Sequence, residues 1–394
     1  TVSHSRGTRP PPGPRVISFV WSPGLALPAG TGGSENYTVG QVRELNRRGI
    51  DARVVTVGMG QADGRAEFDD VPFAAVATLG DLARLDDTLV FVSEVPPVAT
   101  RRPAYQMLHI PPPLRERHHA AAVEGTRDRT LIATSRYAAA LWADFLDVSR
   151  DTVHVVYPFA EPVFAAQGRA AGPGGVTRVL YAGRLTPEKG IYTLLSMLHN
   201  DLFEGDDHHT FTITTAGSDK PQGAVIERML RTHPGVDVVP ARRTPAGMAA
   251  LMSEHDVVVM PSNSQYWHET FGIVSIEAQH AGCRVVASDD GGLPETDCGS
   301  LVLVTPDDAE ALAQGILAAR RLGPVPDAAR ARAGDLFTVA DSVDGLLAVL
   351  RAPRTPTPWA VIQDLEAIVR MPSMSPPHER PLAPDPPQPT GKIS

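Results

Sequence analysis

The chain has 394 residues and a mass of 42.0 kDa, a length that accommodates two domains with extensions. With 42% hydrophobic and 21% charged residues it has a globular composition, and no apolar run approaches the roughly 20 residues that span a bilayer. A net charge of −9 excludes nucleic-acid binding through a broad positive face, so any phosphate recognition must be local.

The first expected element is a buried strand over 15–21, followed by a Pro- and Gly-containing loop and a helix over 34–48 that Gly49 stops. A strand over 52–57 completes a β-loop-α-β opening, the unit that places a parallel sheet between helices. Strands over 88–93, 104–108, 130–133 and 152–156, with helices over 114–124 and 136–146, extend this to a Rossmann-like domain at 15–164, after a disordered 1–14. The Gly- and Ala-rich stretch 165–177 has no apolar periodicity and reads as a linker.

The pattern then restarts, giving a second Rossmann-like domain over 178–351. Its strands are expected at 178–182, 210–216, 236–239, 256–260, 284–288 and 301–304, and its helices at 191–198, 224–231, 246–253, 271–281 and 308–321. The Pro-rich tail 352–394 holds one helical stretch, 359–370, where Trp359, Ile362, Leu365 and Val369 share a face suited to packing back on the first domain. The fold class is therefore α/β, with two doubly wound domains facing across a cleft and ligands at the carboxyl ends of their strands. Cys283 and Cys298 are too few for a disulfide framework, and 1–14 lacks the apolar stretch of a secretion signal, which makes the cytoplasm the expected compartment.

Three segments carry candidate chemistry. In His268-Glu-Thr-Phe-Gly-Ile-Val-Ser-Ile-Glu277, Glu269 precedes a helix and Glu277 falls in its second turn. The unpaired amides of Phe271, Gly272 and Ile273 at such a helix start suit a phosphate or sugar hydroxyls, and the two carboxylates suit hydroxyls on either side. Two glutamates at this spacing also fit ordinary helix-dipole and surface roles. In Ala182-Gly-Arg-Leu-Thr-Pro-Glu-Lys-Gly190, Gly183 permits a tight turn after a strand, and Arg184 and Lys189 could reach a pyrophosphate. A plain surface turn is the alternative, but only Lys189, Lys220 and Lys392 are lysines, so 33 of the 36 basic residues are arginines and one of the few lysines lies in this loop. Ala29-Gly-Thr-Gly-Gly-Ser-Glu35 is a glycine loop leading into a helix; it lacks the third glycine and the acidic partner of a dinucleotide fingerprint, which argues against a nicotinamide cofactor.

Together these segments resemble the large retaining GT-B glycosyltransferase family four, the glycosyl transferases group 1, over most of residues 15–350. The strongest part comprises Val257-Val-Val-Met-Pro-Ser262, Glu269-Thr-Phe-Gly272, Glu277-Ala278, Ala281-Gly282 and Gly291-Gly-Leu-Pro-Glu295. The resemblance implies that Arg184 and Lys189 grip a donor diphosphate, that Glu269 and the neighbouring Thr270 face the donor sugar, and that Glu277 holds the ribose. It places Gly32 and Gly33 beside the diphosphate and acceptor, and Gly217 in a loop near the nucleotide base. His109, ending a first-domain strand, takes the place of a histidine near the reacting carbon, although a lone strand-end histidine is often a packing residue. The chain departs from the family at Tyr157-Pro-Phe-Ala160 and at Arg284, where a Pro-Asn-Gly-Val turn and a proline are usual.

The implied reaction is metal-independent transfer of a hexose-type sugar, with retention, from a nucleotide-diphosphate donor that serves as co-substrate; no cofactor and no metal site are expected. Arg184, Lys189 and the helix start at Phe271 would stabilise the leaving diphosphate. The acidic balance favours a small soluble acceptor over a membrane surface, despite Arg43, Arg47 and Arg48 on one helix. An Arg-, Ala-, Gly- and Pro-rich composition points to a GC-rich bacterial genome, where a specialised metabolite such as an antibiotic precursor is one acceptor class. Rival readings are a sugar-nucleotide epimerase of the same fold, a transferase acting on lipid or polysaccharide, and a catalytically silent sugar-nucleotide-binding protein. Nothing in the residues identifies the nucleotide or the oligomeric state.

Overall fold

The structure, a computed structural model, describes residues 16–25, 27, 32–59, 69–92, 98–170, 175–203, 208–265 and 267–353. The stretch 1–14 and the helical stretch expected at 359–370 lie outside the described residues.

The first half carries strands β1 (Ile17–Val20), β2 (Ala52–Val57), β3 (Phe73–Val76), β4 (Thr88–Phe91), β5 (Ala104–Leu108), β6 (Arg129–Ala133) and β7 (Val153–Val155). All pair in parallel, in the order β3-β2-β1-β4-β5-β6-β7. Helices α1 (Gly33–Arg47), α2 (His119–Thr126) and α3 (Arg136–Leu146) cover the sheet. A parallel sheet covered on both faces needs apolar runs rather than alternation, and β1 and β5 are buried at every residue. β3 is half-buried throughout and sits at the sheet edge, so it carries neither an apolar run nor an alternating pattern.

The second half adds α4 (Pro162–Ala166), β8 (Thr177–Tyr181), α5 (Ile191–Leu198), β9 (His209–Thr214), α6 (Pro221–Thr232), β10 (Val236–Val239), α7 (Pro245–Ser253), β11 (Val257–Met260), α8 (Ile273–His280), β12 (Arg284–Ser288), β13 (Leu301–Val304), α9 (Ala309–Leu322), α10 (Asp327–Gly334) and α11 (Val339–Arg351). Its sheet is also parallel, ordered β10-β9-β8-β11-β12-β13. In both sheets the winding reverses beside the first strand, between β1 and β4 and between β8 and β11. Such reversal points open a crevice at the carboxyl ends of the strands.

The chain passes between the halves twice. Phe159 packs in the core of the first sheet, whereas Ala160 and Phe164 pack with Leu180, Met260 and Phe271 of the second, so the outward passage falls at 159–160 rather than within 165–177. Phe164 anchors the chain before that Gly- and Ala-rich stretch. The return brings α11 back: Val343, Leu346, Leu347 and Val349 join the first core beside Tyr37, Val42 and Leu45 of α1. Gln41 Nε2 donates to Ser342 Oγ at 3.1 Å, and Tyr105 Oη donates to the Leu350 carbonyl at 3.2 Å. The two passages touch where the Ala160 amide donates to the Phe337 carbonyl at 3.1 Å, flanked by the packed rings of Tyr157, Phe271 and Phe337. Among the described residues no helix is long and apolar enough to cross a membrane.

Candidate active-site cleft

The loops after β8 and β11 leave the second sheet at its reversal point and converge on one cavity of about 250 Å³. From the second half its lining takes Gly183, Arg184 and Lys189, and then Glu269, Thr270, Phe271, Gly272 and Ile273. The first half contributes Gly33, His109 and Thr134. Gly32, Gly217 and Glu277 are not part of this lining: Gly32 precedes α1, Gly217 packs against the Arg184 backbone, and Glu277 sits one helical turn beyond Ile273.

Close backbone approach shapes both loops. Gly190 adopts φ +70°, and a Cβ there would collide with the Pro261 carbonyl, so the two loops meet only because this residue has no side chain. Gly272, at φ +100°, starts α8, and its missing Cβ would lie 2.6 Å from Leu293. Tyr181 Oη donates to the carbonyls of Arg184, at 2.7 Å, and Lys189, at 3.1 Å, which fixes the loop from beneath. This tyrosine was not identified from sequence, since a buried aromatic at a strand end is indistinguishable there from plain core.

The lysine and the glutamate that the sequence assigned to different parts of a ligand meet each other: Lys189 Nζ donates to Glu269 Oε1. Ser262 Oγ adds a bond to the same oxygen at 3.1 Å. Burial alone would raise the Glu269 carboxyl, but the Lys189 ammonium, with Ser262 and Arg184, outweighs it and holds the group below its usual range. Ser262 could have been singled out as a polar residue closing the apolar run of β11. Arg184 is 60% exposed and pairs loosely with Glu188 at 3.5 Å, leaving its guanidinium available to an anion.

His109 is half-buried, its ring edge-on to Tyr37 with centroids 5.1 Å apart, and desolvation lowers its pKa to about 4, so the ring is neutral at physiological pH. His109 Nε2 and Thr134 Oγ1 are buried without a hydrogen-bond partner among the described residues. Polar atoms of this kind in a cavity wall suit the hydroxyls of a ligand. Thr270 Oγ1 donates to the His109 carbonyl at 2.7 Å, tying the glutamate loop to the first half. Glu277 lies under the cleft wall, where burial and the nearby Glu161 raise its pKa to about 8. Gly33, at the start of α1, approaches Ile273, at the start of α8, so two helix N-termini face each other across the crevice. No group of three or more His, Cys, Asp or Glu side chains that could hold a metal ion occurs among the described residues.

A pair of parallel Rossmann-like sheets with a crevice built from the strand-end loops of both halves defines the GT-B architecture. Solved structures agree: HepE of Anabaena, in complex with UDP and glucose, superposes with a TM-score of 0.66 over 86% of this chain and 100% of that one at 18% identity. A glycosyltransferase of Rickettsia africae gives 0.66 over 86% and 100% at 16% identity. Residues 176–320 match the family described as glycosyl transferases group 1. A D-inositol 3-phosphate glycosyltransferase of Segniliparus rotundus is 36% identical over 184 residues, 44% of this chain and 39% of that protein. An alpha-maltose-1-phosphate synthase of Mycobacterium tuberculosis is 32% identical over 139 residues, 33% of this chain and 34% of that protein. The chain thus spans about two fifths or less of the length of the curated relatives it matches.

Proposed function

We propose that the protein is a glycosyltransferase that moves a hexose-type sugar, with retention, from a nucleotide-diphosphate donor to a hydroxyl of a small acceptor. The observation that carries this reading is the convergence of Arg184, Lys189, the α8 N-terminus, Glu269 and His109 on one cavity from three separate stretches of chain. The exposed Arg184 fork, the Lys189 ammonium and the amides beginning α8 make an electropositive end suited to a diphosphate, and Glu269, His109 and Thr134 make a polar end suited to sugar hydroxyls.

The chemistry follows from charge. As the bond from the anomeric carbon to the diphosphate oxygen breaks, negative charge grows on that oxygen, and Arg184, Lys189 and the helix start lower its energy in place. The acceptor oxygen then bonds to the anomeric carbon, and its proton passes to the departing diphosphate. A donor phosphate competes with Glu269 for Lys189, so binding would separate the pair and free the carboxylate to accept from a sugar hydroxyl. Neutral His109 suits a hydrogen bond rather than charge stabilisation, since burial opposes its protonation.

A uridine nucleotide is the first donor to test, because HepE was solved with UDP and glucose. The curated relatives are named for inositol 3-phosphate and maltose 1-phosphate, which supports a small polyol or sugar-phosphate acceptor. The experiment is release of nucleoside diphosphate from a panel of UDP-, GDP-, ADP- and dTDP-sugars, with and without candidate acceptors, by the wild type and by Lys189→Ala. At least one donor should turn over in the wild type and fall by on the order of a hundredfold in the variant. Silence across the panel, or equal rates in both proteins, would refute the proposal.

A further inference from the structure

The Gly291-Gly-Leu-Pro-Glu295 segment lies on the side of the glutamate loop away from the cavity, and the proposed chemistry gives it no task. Its backbone packs directly on that loop. The Gly292 amide donates to the Glu269 carbonyl at 2.7 Å, and a Cβ at Gly291 or Gly292 would collide with the carbonyl of Glu269 or of Thr270. Glu269, Thr270 and Glu295 therefore move as one body.

Glu295 reaches from this body to the first half. Its Oε1 accepts from the Tyr137 amide at 2.7 Å, and its Oε2 accepts from the Arg136 amide at 3.0 Å and from Tyr157 Oη at 2.8 Å. Arg136 and Tyr137 are the first two residues of α3, whose amides have no partner within the helix. Ser135 caps the helix conventionally, accepting from the Ala138 amide at 2.9 Å, and the same hydroxyl donates to the Thr270 carbonyl. Two of the open donors of a first-half helix are thus satisfied by a carboxylate from the other half, which also complements the positive end of the helix.

We infer that Glu295 is a positioning residue: by capping α3 across the crevice, it sets Glu269 and Thr270 against His109 in the arrangement that transfer requires. The inference rests on the proposed function. The side chain does not line the cavity; it acts through Thr270, whose hydroxyl bonds the His109 carbonyl, and through Tyr157, which sits where the chain passes between the halves. Separating the halves would leave both α3 amides and the carboxylate without these partners, so the crevice has one favoured setting rather than a continuum.

The test uses Glu295→Ala, Glu295→Gln and Thr270→Val in the full chain. Hydrogen exchange at the Arg136 and Tyr137 amides should be slow in the wild type, fast in Glu295→Ala and intermediate in Glu295→Gln, which keeps one acceptor oxygen. Distances between spin labels, one on each half, should broaden in Glu295→Ala. With a donor that turns over, kcat should fall on the order of tenfold to a hundredfold in Glu295→Ala while donor KM moves less than about threefold. Thr270→Val, which leaves the cap intact, should lower kcat without changing exchange at α3. A purely structural role would lower the melting temperature and leave kcat and the label distances unchanged, and that result overturns the inference. Absence of turnover in the wild type would refute the proposed function instead, and the exchange and distance measurements would still decide the role of Glu295.

Discussion

Lys189 and Glu269 reach the cleft on the loops after β8 and β11 and form an ion pair through Nζ and Oε1, buried to 24% and 10% side-chain exposure, with Ser262 Oγ 3.1 Å from the same oxygen. Each partner stabilises the other while no anion is bound. Lys189→Ala leaves a buried carboxylate without its counter-ion and should cost about 3 kcal/mol of stability. Glu269→Gln should cost less, and the double variant should lose about 1–3 kcal/mol less than the sum of the two. Urea denaturation of the four proteins measures this, and strict additivity would contradict the pairing. Because the Glu269 carboxyl is lowered in the folded state, this stabilisation is complete above its ordinary value of 4.5 and is lost as acid carries the pH down through the folded value.

Glu277 behaves in the opposite sense. Its pKa is raised to about 8, first by burial and second by Glu161, so the carboxyl favours folding while protonated. That contribution is full below the unfolded value of 4.5 and declines as pH rises through 8. Glu277→Gln should therefore be more stable than the wild type at pH 9, by roughly 1 kcal/mol or more, with the gap closing towards pH 5. Thermal denaturation at the two pH values checks it; a difference independent of pH would place the carboxyl in water.

Gly190 has no tolerable replacement. Alanine there meets the Pro261 carbonyl and must also hold φ +70°, so Gly190→Ala should cost more than about 3 kcal/mol or prevent folding. Gly299→Ala is the control: φ is +104°, but nothing lies within 4 Å of the added carbon, and the cost should stay nearer 1–2 kcal/mol. Equal losses would show that backbone strain alone, and not the meeting of the two loops, decides the matter.

Leu346 of α11 is fully buried in the core of the first sheet. Leu346→Ala should cost about 2–5 kcal/mol, measured by chemical denaturation, although the residue lies far along the chain from that sheet. A loss below about 1 kcal/mol would mean that α11 does not complete this core.

Much of this was legible in sequence because parallel strands are buried on both faces. The run Ala104 to Leu108 is β5 to the residue, and Val257 to Met260 is β11. The edge strand β3, half-buried, gave no such signal. No helix was expected at α11, although Thr338 and Asp341 form its capping box, and the surface it covers is a tertiary fact. The candidate site followed the same division. A strand-end glycine and the scarcity of lysine marked Gly183 and Lys189, but the bond from Lys189 to Glu269, the link from Thr270 to His109 and the reach of Glu295 to α3 depend on residues far apart in sequence.

The central claim is that the electropositive end of the cleft holds a nucleoside diphosphate. Calorimetric titration of UDP, GDP, ADP and dTDP into the wild type and into Arg184→Ala/Lys189→Ala tests it without knowledge of the acceptor. One nucleotide should bind the wild type with an affinity that the double variant reduces by at least on the order of a hundredfold. Equal binding by both proteins, or no binding of any of the four to the wild type, would contradict the account.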